Sequence, residues 1–121
     1  MIRMTGDWKE IAERASRKVD FHWSQFGPPE DSYGDRMGQV YSTALNALRE
    51  AQEQGEDSVL FIHGYSTSRP GATTARSVIR GLMRSKESTP YVVKSKSIQH
   101  PTVVLAVIKP KRQRYEQNAQ I

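Results

Sequence analysis

The chain has 121 residues, no cysteine and a net charge of +5. That length suits one domain with its own core, and the missing thiols exclude disulfides and cysteine-ligated metal centres. No run approaches the roughly 20 apolar residues of a membrane span. The opening Met1-Ile2-Arg3-Met4-Thr5 lacks the apolar stretch of a secretory signal, so a soluble domain of cytoplasmic type is expected, without a membrane partner. Charge is unevenly divided. Residues 1–57 carry 7 Lys/Arg against 11 Asp/Glu, whereas residues 58–121 carry 11 against 2. A basic half of this kind points to a polyanionic partner, most often nucleic acid; a solvated basic surface is the plainer alternative.

In chain order, the pattern first predicts a short helix over residues 7–18. Asp7 can cap it, and Trp8, Ile11, Ala12 and Ala15 form one apolar stripe. Lys18 to His22 reads as a strand, with Val19 and Phe21 on one face and Asp20 and His22 on the other. Gly27-Pro28-Pro29 through Gly34 reads as a loop. A helix is predicted from about Asp35 to Gln54, because Met37, Val40, Tyr41, Ala44, Leu45, Leu48 and Ala51 recur at helical spacing, and Gly55 is its stop. Ser58 to His63, with Val59-Leu60-Phe61-Ile62 at its centre, reads as a buried strand suited to parallel pairing.

A polar loop over residues 64–71 leads to a helix predicted over residues 72–85, with Ala72, Ala75, Ile79, Leu82 and Met83 on its apolar side. Tyr91–Lys94 and Thr102–Ile108 are the last predicted strands, with a turn near His100-Pro101. The basic stretch from residue 110 to 121 has little to bury and reads as a disordered tail. The sum is an α/β fold: a two-layer α/β sandwich whose β-α-β-α-β-β core is a mixed four-stranded sheet, preceded by an additional N-terminal helix. The expected division is a helical extension over residues 1–17, a core domain over 18–109 and the tail. The first two strands should be parallel and joined by a right-handed crossover.

Two motifs carry chemistry. His63-Gly64-Tyr65-Ser66-Thr67-Ser68 lies where an apolar strand ends and a helix is about to begin. Ligands of open α/β sheets bind beyond the carboxyl ends of the strands, and a helix start offers free N–H groups and a partial positive charge. Gly64 permits close backbone approach, while Ser66 and Ser68 add hydroxyls, so a phosphate is favoured there; an ordinary capped turn is the alternative. Asp20-Phe21-His22 is the second motif. Its carboxylate and imidazole share a strand face, so Asp20 could orient His22 as a general base; a chance surface pair is the alternative. If the two strands are adjacent and parallel, Asp20, His22 and His63 converge on one sheet edge.

In this order the motifs resemble the Smr (small MutS-related) domain family. That family pairs Leu-Asp-x-His on a first strand with His-Gly-x-Gly on a second. Here Val19-Asp20-Phe21-His22 and Ile62-His63-Gly64-Tyr65-Ser66 stand in those places, and Thr102-Val103-Val104-Leu105 looks like the closing strand. The similarity spans roughly residues 18–109. It implies an endonuclease-like domain acting on DNA or RNA, with Asp20, His22 and His63 as catalytic residues. Gly64 and the loop would hold phosphate, with His63 as general acid or phosphate contact. The chain departs from the family where Ser66 replaces the second glycine, where Trp23 follows His22, and where the loop runs on through Arg69-Pro70-Gly71.

Beyond the motifs, Arg76, Arg80 and Arg84 recur every four residues and form a stripe on the predicted helix. With Arg69 upstream and Lys94 and Lys96 downstream, the stripe could track a nucleic-acid backbone; a solvated helix face is the alternative. A divalent metal such as Mg²⁺, held by Asp20 and His22 with or without His63, is compatible with the donor types. No nucleotide cofactor is expected, because no P-loop is present. The strand before Gly64 also resembles the oxyanion strand of α/β-hydrolases, but the Gly-x-Ser-x-Gly elbow is missing. Three readings follow: an endonuclease, a non-catalytic DNA- or RNA-binding module, and a protein-interaction domain using the N-terminal helix.

Overall fold

The computed structural model describes residues 1–21, 33–64 and 75–111. The elements are β1 (Ile2–Arg3), α1 (Lys9–Arg14), β2 (Arg17–Asp20), α2 (Tyr33–Glu53), β3 (Ser58–Ile62), α3 (Ala75–Arg84), a 3₁₀ turn (Lys94–Lys96), β4 (Ile98–Gln99) and β5 (Val103–Val107). They make an α/β fold around one five-stranded mixed sheet of order β1-β4-β5-β3-β2. β2 runs parallel to β3 with Asp20 opposite Ile62. β3 is antiparallel to β5, with Ile62 opposite Val103. β4 pairs antiparallel with β5, and β1 pairs parallel with β4, setting Arg3 opposite Gln99.

Strand alternation sorts the core into two halves. On one face, Val59, Phe61, Val104 and Ala106 pack beneath α2 and α3. Val40, Ala44, Leu48 and Ala51 of α2 and Ile79, Leu82 and Met83 of α3 meet them at helical spacing, all essentially shut off from solvent. Each fully buried Leu, Ile or Phe in this layer contributes roughly 1.5–3 kcal/mol. On the other face, Leu60, Val103, Leu105 and Ile98 are covered by Ile11 and Ala12 of α1, with Trp8 and Ala15 packed alongside. The apolar stripe read in the sequence therefore does pack. It does so on the opposite side of the sheet, so helices lie on both faces and the two-layer expectation is corrected. Asp7 acts at the start of α1 by accepting a 2.9 Å bond from the Lys9 N–H.

α2 stops where Gly55 takes a φ of 71°. The Glu56 N–H reaches the Ala51 carbonyl and the Gly55 N–H the Gln52 carbonyl, a Schellman closure that satisfies two terminal acceptors.

The sheet differs from expectation at its far edge. A fifth strand, β1, joins by donating from the Ile2 and Met4 N–H groups to the Ser97 and Gln99 carbonyls. Two residues are too few to show a periodicity, so no sequence signal marked it. The strand placed at Tyr91–Lys94 is not one: Val92 makes only an isolated bridge to Ile108, and the partner of β5 on the side away from β3 is Ile98–Gln99. The apolar pair Val92-Val93 looked like a strand, but Val93 through Ser97 turn tightly, with the Lys96 and Ser97 N–H groups bonding the Val93 carbonyl. Residues 1–17 are likewise part of the sheet and its second core cluster rather than an appended helix. Residues 112–121 of the expected tail lie outside the described residues. No described helix is long and apolar enough to cross a membrane.

Candidate functional site

The pairings bring five chain segments to one sheet edge. The carboxyl ends of β1, β2, β3 and β4 meet the amino end of β5 there, so Arg3, Asp20, Ile62, Gln99 and Val103 lie along a single border. Just past it the chain pivots. The N–H groups of His63 and Gly64 both donate to the Thr102 carbonyl, at 3.1 and 2.9 Å. Gly64 adopts a φ of 75°, a left-handed conformation open to glycine and costly for other residues.

His63 is buried, 9% exposed. Its Nδ1 lies 2.7 Å from the Gly64 carbonyl. A carbonyl can only accept, so Nδ1 carries the proton and Nε2 holds a lone pair. That Nε2 is buried and has no hydrogen-bond partner. Burial pushes the His63 pKa down to about 4; the Gly64 carbonyl opposes the shift, and the charges of Arg80 and Arg76, with His100, add to it. At neutral pH the ring is therefore uncharged. It has no proton to give at Nε2, so a general-acid role, or donation to a phosphate, does not fit this geometry.

Arg80 stands beside it on α3. Its Nη2 donates to the His100 carbonyl over a long 3.5 Å, and its buried Nε has no partner. Burial lowers the Arg80 pKa, and Arg76, Arg84 and Arg3 lower it further by repulsion. None of these four arginines makes a salt bridge among the described residues; the ion pairs there join Arg17 to Glu50 and Glu56, and Lys111 to Glu53. Uncompensated cations crowded around a buried polar atom are a costly arrangement, and such arrangements cluster at functional sites.

The expected site residues divide into four groups. His63 and Gly64 are consecutive, and the charges of Arg76 and Arg80 act on the His63 ring. Asp20 reaches the same edge, half-buried, in register with Ile62. Val19 and Phe21 turn toward α2 and α3, and Phe21 packs against Phe61 with ring centres 5.9 Å apart. Alternation therefore sets Asp20 on the α1 face, whereas His63 lies with the arginines of α3. Shared edge does not mean shared face. His22, Ser66, Ser68 and Arg69 lie outside the described residues.

Lys94 and Lys96 belong elsewhere. Val93 and Ser97 bond to the ends of Val107, which is opposite Ser58, so the 3₁₀ turn sits at the opposite, amino edge of β3. The Lys94 ammonium donates at 2.7 Å to the Ser85 carbonyl just past α3, a favourable place for a cation at a helix C-terminus. Lys96 is exposed at that far edge. Neither lysine is part of the His63 site.

Two residues of the site were not singled out in the sequence. Arg3 arrives through the unmarked strand β1. His100 is buried and fully bonded, its Nε2–H donating to the Gly6 carbonyl at 2.6 Å and its Nδ1 accepting from the Thr102 N–H at 3.0 Å. No group of three His, Asp or Glu side chains suited to a metal occurs among the described residues. The guanidinium groups around His63 would repel a divalent cation, so its surroundings do not fit one.

No protein-family model, curated protein or solved structure matches the chain.

Proposed function

We propose that the domain binds the phosphodiester backbone of nucleic acid, DNA or RNA, at the carboxyl edge of its sheet. The observation that carries this reading is that Arg76 and Arg80, whose charges act on His63, make no carboxylate pair among the described residues. Arg76 and Arg80 repel each other, and a phosphate placed between them would turn that repulsion into two charge-assisted contacts. Arginine is suited to this task because its planar fork matches phosphate oxygens and stays charged. Gly64 has a left-handed backbone, and among the described residues beyond its chain neighbours no atom lies within 4 Å of where a Cβ would stand, which suits approach of a ligand to the main chain. The test is fluorescence anisotropy with labelled single-stranded RNA and DNA over a range of salt. Affinity should fall as salt rises, with a log–log slope of about −0.7 for each phosphate neutralised. Absence of salt-dependent binding overturns the reading and favours a protein-interaction domain.

Cleavage of the bound phosphodiester, as the Smr resemblance implies, is the second reading. The parallel β2–β3 pair favours it by bringing Asp20 and His63 to one edge. In that case His63 serves as a proton acceptor through Nε2, not as an acid, and Asp20 acts from the other face. Incubating labelled RNA and DNA with the protein, with Mg²⁺ and with chelator, alongside Asp20→Asn, tests it: cleavage lost in the variant supports the endonuclease, and intact strands throughout leave a binding module.

A further inference from the structure

We infer that Arg3 of β1 is a nucleic-acid-binding residue, and that the bound strand passes from the α3 arginines over the β1 edge of the sheet. This rests on the backbone-binding reading above and names the path the backbone takes.

Placement carries the argument. Arg3 is in register with Gln99, and Gln99 with Val104. Val104 packs under α2 and α3, so alternation turns Arg3 toward that same face. Ile2 is in register with Ile98, which belongs to the cluster under α1, and so takes the other face. Arg80 reaches the His100 carbonyl, one residue beyond Gln99. Arg80 therefore leans toward the β4–β1 side, where Arg3 is close enough to repel it. Arg76 to Arg84 spans two helical turns, about 12 Å, and Arg3 adds a cation off the line of the helix. Three arginines on one helix mark a line. A fourth on the edge strand, turned to the same face and off that line, lets the cations meet successive phosphates of a strand that crosses the sheet.

The side chain of Arg3 is exposed and makes no salt bridge among the described residues. Its strand is held by the backbone N–H groups of Ile2 and Met4, so the guanidinium is not needed to hold β1 in place. The repulsion it adds to Arg80 would have been relieved by any neutral residue at this position.

The experiment is an anisotropy titration of the full chain with a labelled single-stranded oligonucleotide of about a dozen nucleotides, a usual site size for one domain, at several salt concentrations. Arg3→Ala is compared with Arg3→Lys and with Lys9→Ala, a control cation exposed on α1. Arg3→Ala should weaken binding by about 5- to 10-fold at moderate salt and make the log–log salt slope shallower by about 0.7. Arg3→Lys should restore the slope, and Lys9→Ala should leave it unchanged. Wild-type binding with an unaltered slope in Arg3→Ala overturns the inference while leaving the binding function standing. A wild-type chain that shows no salt-dependent binding overturns both.

Discussion

The two ends of the sheet treat charge in opposite ways. At the amino edge, two cations have partners: Arg17 bonds Glu56 at 2.7 Å and Glu50 at 3.4 Å, and Lys94 closes onto the Ser85 carbonyl. The Glu56 carboxylate lowers its own pKa through the bond to Arg17, and Arg17 rises in return. At the carboxyl edge, Arg3, Arg76 and Arg80 make no carboxylate pair among the described residues; burial lowers the Arg80 pKa, and Arg76, Arg3 and, from the far end of α3, Arg84 lower it further by repulsion. The two buried histidines of that edge make the same contrast at closer range. His100 has both ring nitrogens bonded, whereas His63 has one nitrogen buried and empty-handed. One end pairs its charges within the fold, and at the other the cations have no carboxylate partner among the described residues.

The strongest test of that contrast is a double dissociation. The paired substitution Arg76→Glu and Arg80→Glu should lower nucleic-acid affinity on the order of 1,000-fold, since each reversal replaces a phosphate contact by a repulsion. Arg76→Ala alone should weaken binding about 5- to 10-fold while leaving the melting temperature unchanged or higher, because it removes repulsion on Arg80. A melting temperature that falls in Arg76→Ala would mean that the arginine is structural, and the contrast between the two ends would fail.

Next in size is the pH response of His63. Its pKa is near 4 folded against 6.5 for a free histidine, so below pH 6.5 the unfolded chain takes up a proton that the folded chain refuses. Stability is therefore full above about pH 6.5 and declines toward pH 4, by up to about 3 kcal/mol. Glu56 acts in a different window: its lowered pKa adds stability that is present above its ordinary value of 4.5 and lost as pH falls below it. Denaturant melts at pH 7.0 and 5.0 should separate the two, with His63→Leu flattening the difference and Glu56→Gln leaving it. An equal pH dependence in His63→Leu would show that the ring is not held neutral.

Periodicity made the long elements legible. Val40, Ala44, Leu48 and Ala51 announced α2, and Val59 to Ile62 announced β3, because a helix face and a doubly buried strand each leave several apolar residues in register. The parallel pairing of β2 with β3, and the arrival of Asp20 and His63 at one edge, followed from that order. What stayed hidden was set by short or non-local features. Ile2–Arg3 became a strand only because Ser97 and Gln99 offered carbonyls from the far end of the chain. Lys94 looked like a partner for Arg80 because the sequence gives charge but not which edge of the sheet it stands on. Asp20 and His63 looked like one constellation because the edge was inferred but the register was not. Asp20 stands opposite Ile62, and one residue of register is enough to exchange faces.

The smaller predictions compare the two ends residue by residue. Gly64→Ala should cost about 1–2 kcal/mol, the penalty for an L-residue in left-handed backbone, and lower the melting temperature by a few degrees. Among the described residues beyond its chain neighbours, nothing stands within 4 Å of a Cβ at Gly64, so the cost is conformational and Gly64→Asn should recover part of it. Arg17→Ala should cost about 0.5–1 kcal/mol at most. Its pairs with Glu50 and Glu56 are partly solvated, and ion pairs of that kind contribute little once ordering and screening are counted. The value of the Arg17 variant lies in what it leaves alone. It removes one positive charge from the chain, as Arg76→Ala does, so a response governed by net charge would weaken nucleic-acid binding equally in both. If position decides instead, Arg17→Ala should bind as the unaltered chain does at every salt concentration while melting slightly earlier, the reverse of Arg76→Ala on both measurements.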